Sequence, residues 1–347
     1  MIPLLARFPL LLLSSLLALS AVFAGEQAKV RPNFVFFITD DQPYLGLSCT
    51  GNTVLKTPAM DALAAKGVLF ENAFATTAIC CSSRASILTG QHMRRHGIED
   101  FAKPLSAAQL QEIFPVLLRK AGYRTAFLGK YAVGSPKVDP ALSLPAELFD
   151  LWYGFPQSIA YKQIEDGKDR YLTTVMEEKA VQFLQDAQRD QPFCLIMALK
   201  EPHGPADYFD SEFTVTKSDA PIPRPTTLTR QAFDALPAPA RESMAASPRW
   251  IDDAASFEAY VRKRDSYIAR SDLAVGRVTA ALAAAGLDEN TVVIFMSDHG
   301  SFCGAHGLTG KWLMYEESIR VPLIIHDPRL PASTRGRRQS MALNIDL

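Results

Sequence analysis

Apolar and polar positions alternate with two different periods along this chain. Residues 33–39, Asn-Phe-Val-Phe-Phe-Ile-Thr, form an unbroken apolar run ending in Asp40-Asp41. A strand buried on both faces reads this way. Similar runs at 124–128, 192–199, 291–296 and 321–325 predict four more strands. Between them, helical spacing predicts helices over 58–66, 109–120, 173–188 and 253–285, the first with Thr57 as its cap. Strands alternating with helices predict an α/β fold with a mostly parallel sheet sandwiched by helices. The segment 205–248 carries Pro221, Pro223, Pro225, Pro237, Pro239 and Pro248 and no sustained period, so it reads as a long surface excursion.

Residues 1–24 have the pattern of a signal peptide. Arg7 precedes an apolar stretch, and Ala21-Val22-Phe23-Ala24 supplies small residues at a cleavage site. The reading is an exported protein, periplasmic or secreted, with one domain over 25–347 and a Pro-rich insertion at about 205–250. No later run is long and apolar enough to cross a bilayer, so no stable membrane insertion is expected after cleavage. The net charge of −1 offers no broad basic surface, which argues against nucleic acid as a partner. The five cysteines, Cys49, Cys80, Cys81, Cys194 and Cys303, lack metal-type spacing, and an odd count in an exported chain leaves one for another task.

Cys80 is the candidate. It opens Cys80-Cys81-Ser82-Ser83-Arg84-Ala85-Ser86-Ile87-Leu88-Thr89-Gly90, which reads as a short helix. A helix N-terminus favours anions, and Arg84 adds a planar, permanently charged fork. Alone, a Cys-x-x-x-Arg spacing most often marks a small buried hydrophobe. Other charged groups fall where predicted strands end: Asp40 and Asp41, Lys130, His203, then Asp298 and His299, with Lys311 shortly after. Taken singly, each reads as a cap, a turn or a surface lysine. Together they are what metal-assisted attack on an oxyanion ester requires. Carboxylates converging on one rim suit Ca²⁺ or Mg²⁺ rather than Zn²⁺.

The segment from Cys80 to His92 resembles the sulfatase signature, and so do residues 31–52, Gly129-Lys130, Glu201-Pro202-His203, Ser297-Asp298-His299-Gly300 and 304–322. That resemblance implies an alkaline-phosphatase-like fold and hydrolysis of a sulfate ester, with a sulfated carbohydrate as the expected substrate. It implies that a formylglycine-generating enzyme converts Cys80 to formylglycine (3-oxoalanine), whose hydrate is the nucleophile. It implies Ca²⁺ held by Asp40, Asp41, Cys80, Asp298 and His299. Arg84, Lys130, His203 and Lys311 would be catalytic and bind sulfate, with His306 a further substrate contact. The chain departs from the family pattern at Ser82, usually Pro or Ala, and at Ala132, often a histidine that helps release sulfate. It stops at Asn344-Ile345-Asp346-Leu347, where the family usually continues into a smaller antiparallel subdomain, so a C-terminally truncated chain is expected. Two alternatives stay open: a phosphodiesterase or phosphonate hydrolase of the same fold, and a catalytically impaired relic that binds sulfated glycans.

Overall fold

The computed structural model describes residues 31–157, 159–165, 167–204 and 220–347. The proposed signal peptide and residues 205–219 of the Pro-rich segment lie outside them.

The strands are β1 (Asn33–Thr39), β2 (Val68–Phe74), β3 (Arg124–Lys130), β4 (Leu151–Phe155), β5 (Lys162–Glu165), β6 (Lys168–Tyr171), β7 (Phe193–Ala198), β8 (Thr291–Ser297), β9 (Leu323–His326) and β10 (Gly336–Leu343). Eight of them form one sheet in the order β10-β2-β9-β8-β1-β7-β3-β4, while β5 and β6 form a separate hairpin. β9 runs antiparallel to both its neighbours, and the other pairings in the sheet are parallel. The α/β expectation therefore holds. Adjacent parallel strands β8, β1, β7 and β3 end on one edge, which is where open α/β sheets carry their ligands.

The pleat divides each run between two cores. Val35 and Phe37 join Leu195, Met197, Ala126 and Leu128 on one face. Phe36 and Ile38 join Cys194, Ile196, Ala198 and Phe127 on the other. The principal helices are α1 (Pro58–Lys66), α2 (Cys80–Thr89), α3 (Phe114–Lys120), α4 (Leu172–Gln185) and α5 (Ala254–Ala284). α1, α4 and α5 cover the first face, as Met60, Phe183 and Val275 lie in its core. α2 and α3 cover the second, with Ala85, Ile87 and Val116.

Several boundaries differ from expectation for physical reasons. Pro115, which lacks an N–H, sits in the first turn of α3. The stretch 109–120 accordingly divides into a short helix, Ala107–Leu110, and α3. Thr57 occupies the cap position of α1, but its hydroxyl donates to Asp61 at 3.0 Å. Asp272, from α5, accepts instead from the N–H groups of Ala59 (3.2 Å) and Met60 (2.8 Å). The Pro-rich segment is less of an excursion than its sequence suggests. Residues 230–234 and 238–241 form short helices, and Phe233, Leu236 and Ala240 pack on Phe302, Ala305 and Leu308.

α2 is buried along residues 80–88 although half its side chains are polar. Each buried hydroxyl therefore needs a partner. Ser82 donates to the Ile98 carbonyl at 2.8 Å, Ser83 to the Asp298 carbonyl, and Ser86 pairs with His96 Nε2 at 3.0 Å. His96 Nδ1 accepts from the Ile98 N–H at 3.0 Å, so Nε2 carries the proton and the ring is neutral. Burial pushes His96 down to about 4, with a backbone contact to Ser82 opposing and Lys103 assisting. The folded chain then binds fewer protons here than the unfolded one. His96 contributes its full stability above about pH 6.5 and loses it as pH falls towards about 4. His96→Asn, whose side-chain oxygen can replace Nδ1 as acceptor, is expected to flatten the decline in melting temperature across that window; a profile parallel to wild type would contradict this.

Candidate active site

Three strand ends and one helix start deliver the core of the cluster. Asp40 follows β1, its N–H donating to the Glu201 carbonyl at 2.9 Å. Asp298 follows β8 and donates its N–H to the Thr39 carbonyl at 3.0 Å. Lys130 closes β3, and Cys80 opens α2. The Asp41 backbone is left-handed, with φ +70°, and its N–H donates to Asp298 Oδ1 at 3.2 Å. Ser297 Oγ accepts from the Gln42 N–H at 2.9 Å, tying the two aspartate-bearing loops together.

Cys80 Sγ is the common neighbour. It lies 3.5 Å from Asp40 Oδ1, 3.2 Å from His299 Nε2 and 3.2 Å from Lys311 Nζ. Lys130 pairs with Asp40 and Lys311 with Asp41. Arg84 sits behind them, its Nε donating to Asp298 Oδ2 at 2.9 Å and its Nη1 to the Lys130 carbonyl. Its third nitrogen, Nη2, is buried without a hydrogen bond and lies 3.9 Å from Asp40 Oδ1. His203 stands at the rim, with Nε2 4.0 Å from Asp41 Oδ2 and Nδ1 on the Gly204 carbonyl at 2.5 Å.

Counter-charge outweighs desolvation throughout. Burial alone would raise the Asp40 carboxyl, but Lys130, His203, Arg84 and Lys311 hold it well below the usual carboxylate range. Asp41 behaves alike, burial being overcome by Lys311 and His299. Burial would lower Lys130 and Lys311; Asp40 raises the first and Asp41 the second, so both stay ammonium. Burial would lower His299 as well, but Asp298, Cys80 and Asp41 push it up to about 9 against Lys311.

The donors form a mixed set, carboxylate oxygens with one imidazole nitrogen and the residue-80 side chain, that could hold a divalent cation. One ligand atom from each of Asp40, Cys80, Asp298 and His299 lies within 4.8 Å of the others, and Asp40, Asp41, Cys80 and His203 form an overlapping group. Oxygens around a calcium ion stand about 2.3–2.6 Å from it, so opposite donors are about 5 Å apart. The cluster has the matching span.

The structure thus gathers Asp40, Asp41, Cys80, Arg84, Lys130, Asp298, His299 and Lys311, and brings His203 to their edge. His306 makes other contacts: its Nε2 pairs with Glu317 at 3.3 Å and its ring lies 5.6 Å from that of Tyr315. Ala132 is fully buried at φ +60°, and Ser82 spends its hydroxyl on Ile98. Sequence reasoning missed a clamp behind the helix. Asn344 donates to Ser83 Oγ at 2.9 Å and accepts from the Thr76 N–H at 3.0 Å. Its only advance signal is the amide that opens the Asn344-Ile345-Asp346-Leu347 segment.

Comparison with known proteins gives consistent results. The family model described as Sulfatase matches residues 32–346. An N-acetylglucosamine-6-O-sulfatase of Bacteroides thetaiotaomicron is 28% identical over 97% of this chain and 71% of its own length. A human N-acetylglucosamine-6-sulfatase is 30% identical over 97% of this chain and 63% of its own length, so the chain spans under two thirds of it. Among solved structures, a protein in complex with its substrate D-glucosamine-2-N,6-O-disulfate superposes with a TM-score of 0.72 at 25% identity, covering 91% of this chain and 75% of the other.

Proposed function

The chain belongs to the sulfatase family, and from that premise we propose that it hydrolyses a sulfate ester on a carbohydrate, with residue 80 as nucleophile. The supporting observation is the position of Cys80 Sγ, within 3.5 Å of Asp40, His299 and Lys311 at the start of α2. Residue 80 enters the chemistry as formylglycine made from Cys80, whose hydrated aldehyde supplies the attacking hydroxyl. Asp40, Asp41, Asp298 and His299, with residue 80, would hold a calcium ion that supplies Lewis-acid polarisation.

The remaining work falls to the cations. Lys130 and Lys311 flank residue 80 and neutralise sulfate oxygens as charge shifts onto them. Arg84 has one nitrogen left for the same task once Asp298 and the Lys130 carbonyl are served. Asp40, Asp41 and Asp298 hold these three in place, so they need little reorganisation when charge develops. His203, oriented by Nδ1 on the Gly204 carbonyl, turns Nε2 towards the rim beside Asp41, where it would pass a proton to the leaving oxygen. A 6-sulfated glucosamine-type sugar as the substrate is supported by the two glucosamine-type relatives and the solved complex.

The direct test is release of sulfate from N-acetylglucosamine 6-sulfate by the matured protein, beside release of phosphate from the matching 6-phosphate. Sulfate release that a chelator abolishes and Ca²⁺ restores is the expected result. A preference for the phosphate would move the chain to the phosphoester readings.

His203 is itself positioned. The Tyr161 hydroxyl donates to the His203 carbonyl at 2.9 Å, and the Tyr161 ring is fully buried against Tyr171 and Tyr267. Tyr161→Phe keeps the ring stack and removes one hydrogen bond. Turnover of a sugar sulfate, whose alkoxide must be protonated to leave, is expected to fall about tenfold. Turnover of 4-nitrophenyl sulfate, whose leaving group needs no proton, should change by less than about twofold. Equal losses on both esters would assign Tyr161 a merely structural role.

A further inference from the structure

Trp312 directly follows Lys311 and adopts φ +78°, a left-handed backbone in which a bulky L side chain is crowded. At 36% exposed, Trp312 is a large apolar residue that the fold leaves partly open to solvent. Its placement is nonetheless built. The Trp312 N–H donates to the Ala78 carbonyl at 3.2 Å, two residues ahead of Cys80. Gly310, itself at φ +65°, makes room for the ring: a Cβ on Gly310 would stand 2.7 Å from the indole Cζ3. The indole centroid then lies 5.9 Å from Lys311 Nζ, the same ammonium that touches Cys80 Sγ at 3.2 Å. A partly exposed aromatic plane therefore stands beside the ammonium that touches residue 80.

We propose that Trp312 is the specificity platform of this site, on which the pyranose ring carrying the sulfate ester stacks by its apolar C–H face. The inference rests on the hydrolase reading above and deepens it by naming what holds the sugar rather than the sulfate. An indole suits that task, combining a large flat apolar area with few rotatable bonds and an N–H edge for a hydroxyl. Backbone crowding retained at a rim residue fits a functional rather than a packing role. An open-chain sulfate ester has no ring face to offer and gains nothing from the indole.

The test titrates the unmodified chain calorimetrically with N-acetylglucosamine 6-sulfate and, separately, with ethyl sulfate. Trp312→Gly is expected to weaken the sugar sulfate about tenfold and ethyl sulfate less than about twofold. Trp312→Phe should hold the sugar within about threefold of wild type, because a phenyl ring still offers a face. The glycine variant should still unfold cooperatively, since glycine accepts the left-handed backbone without crowding. The platform is overturned if wild type binds the sugar sulfate no tighter than ethyl sulfate, or if Trp312→Gly leaves both ligands unchanged or weakens both equally. Sulfate release by matured protein separates the two claims. Trp312-dependent sugar binding without hydrolysis overturns the hydrolase reading and supports the platform; hydrolysis with Trp312-independent binding does the reverse.

Discussion

Cys80→Ala is expected to abolish sulfate release, lowering kcat about 10⁴-fold or more while leaving the fold intact. The size follows from the role, since removing a covalent nucleophile leaves only binding and electrostatics behind. Tolerance of the change follows from packing. Cys80 is 1% exposed, but its sulfur meets polar groups (Asp40, His299 and Lys311) rather than the apolar core that its neighbour Cys81 joins. Alanine thus removes one sulfur without opening a large apolar cavity. Cys80→Ser separates attack from release. Serine offers one hydroxyl, so sulfate once transferred has no second hydroxyl to expel it. Stoichiometric retention of sulfate on the chain, with no sustained turnover, is the expected outcome by intact-protein mass. Steady multiple turnover by Cys80→Ser would contradict a mechanism that needs two hydroxyls on one carbon.

The second large effect lies at Arg84, where stability and catalysis fall together. Its side chain is 3% exposed and Asp298 and Asp40 are fully buried, so the guanidinium is their fixed counter-charge. Burial would lower the Arg84 pKa, yet Asp298 and Asp40 raise it, so the charge persists. Arg84→Met removes the charge at similar length and strands buried carboxylate charge. Breaking such a buried pair costs about 3–5 kcal/mol. The Lys130 carbonyl also loses its donor, at about 1–3 kcal/mol if water does not replace it. Chemical denaturation should register a loss of at least about 3 kcal/mol, and sulfate release should fall by about 10²–10³-fold. Arg84→Lys is not a conservative repair, because one ammonium cannot serve Asp298, the Lys130 carbonyl and a sulfate oxygen from a planar fork. A variant as stable as wild type would show that other cations suffice to balance the cluster.

Much of the frame was legible because the central strands are buried on both faces. β1, β3, β7 and β8 read as unbroken apolar runs, so a charged residue at their ends stood out as chemistry rather than surface. Asp40, Lys130, His203 and Asp298 follow those runs, and their conjunction, with the sulfatase resemblance, singled them out. Strands away from the centre escaped notice. β2 carries Glu71 and Asn72 in mid-run, where Glu71 pairs with Arg337 and Asn72 donates to the Gln339 carbonyl. β10 begins Gly-Arg-Arg-Gln-Ser, a polar edge strand without an apolar face until Ala342. Neither pattern is local, because each depends on the other strand being present.

The site was legible in part for the same reason. α2 has no apolar stripe to betray it, since a helix buried all round by matched hydroxyl partners leaves no amphipathic signal. Its reading rested on the resemblance of the Cys80–Gly90 segment. The substitution of Asp272 for Thr57 as the cap of α1 joins residues more than two hundred positions apart, which no window along the chain can see. His306 lies apart from the cluster, beside Glu317 and the ring of Tyr315. The left-handed backbone of Trp312 is likewise a property of the folded loop, invisible in a sequence where tryptophan carries no preference for that conformation.

The most direct measurement is the mass of the tryptic peptide 67–84, taken from protein produced together with a formylglycine-generating enzyme. The account predicts that the thiol at residue 80 is replaced by an aldehyde, with Cys81 in the same peptide untouched. A peptide in which Cys80 keeps its thiol would remove the nucleophile and contradict the account, leaving a fold that gathers sulfate-binding cations without the means to break the ester.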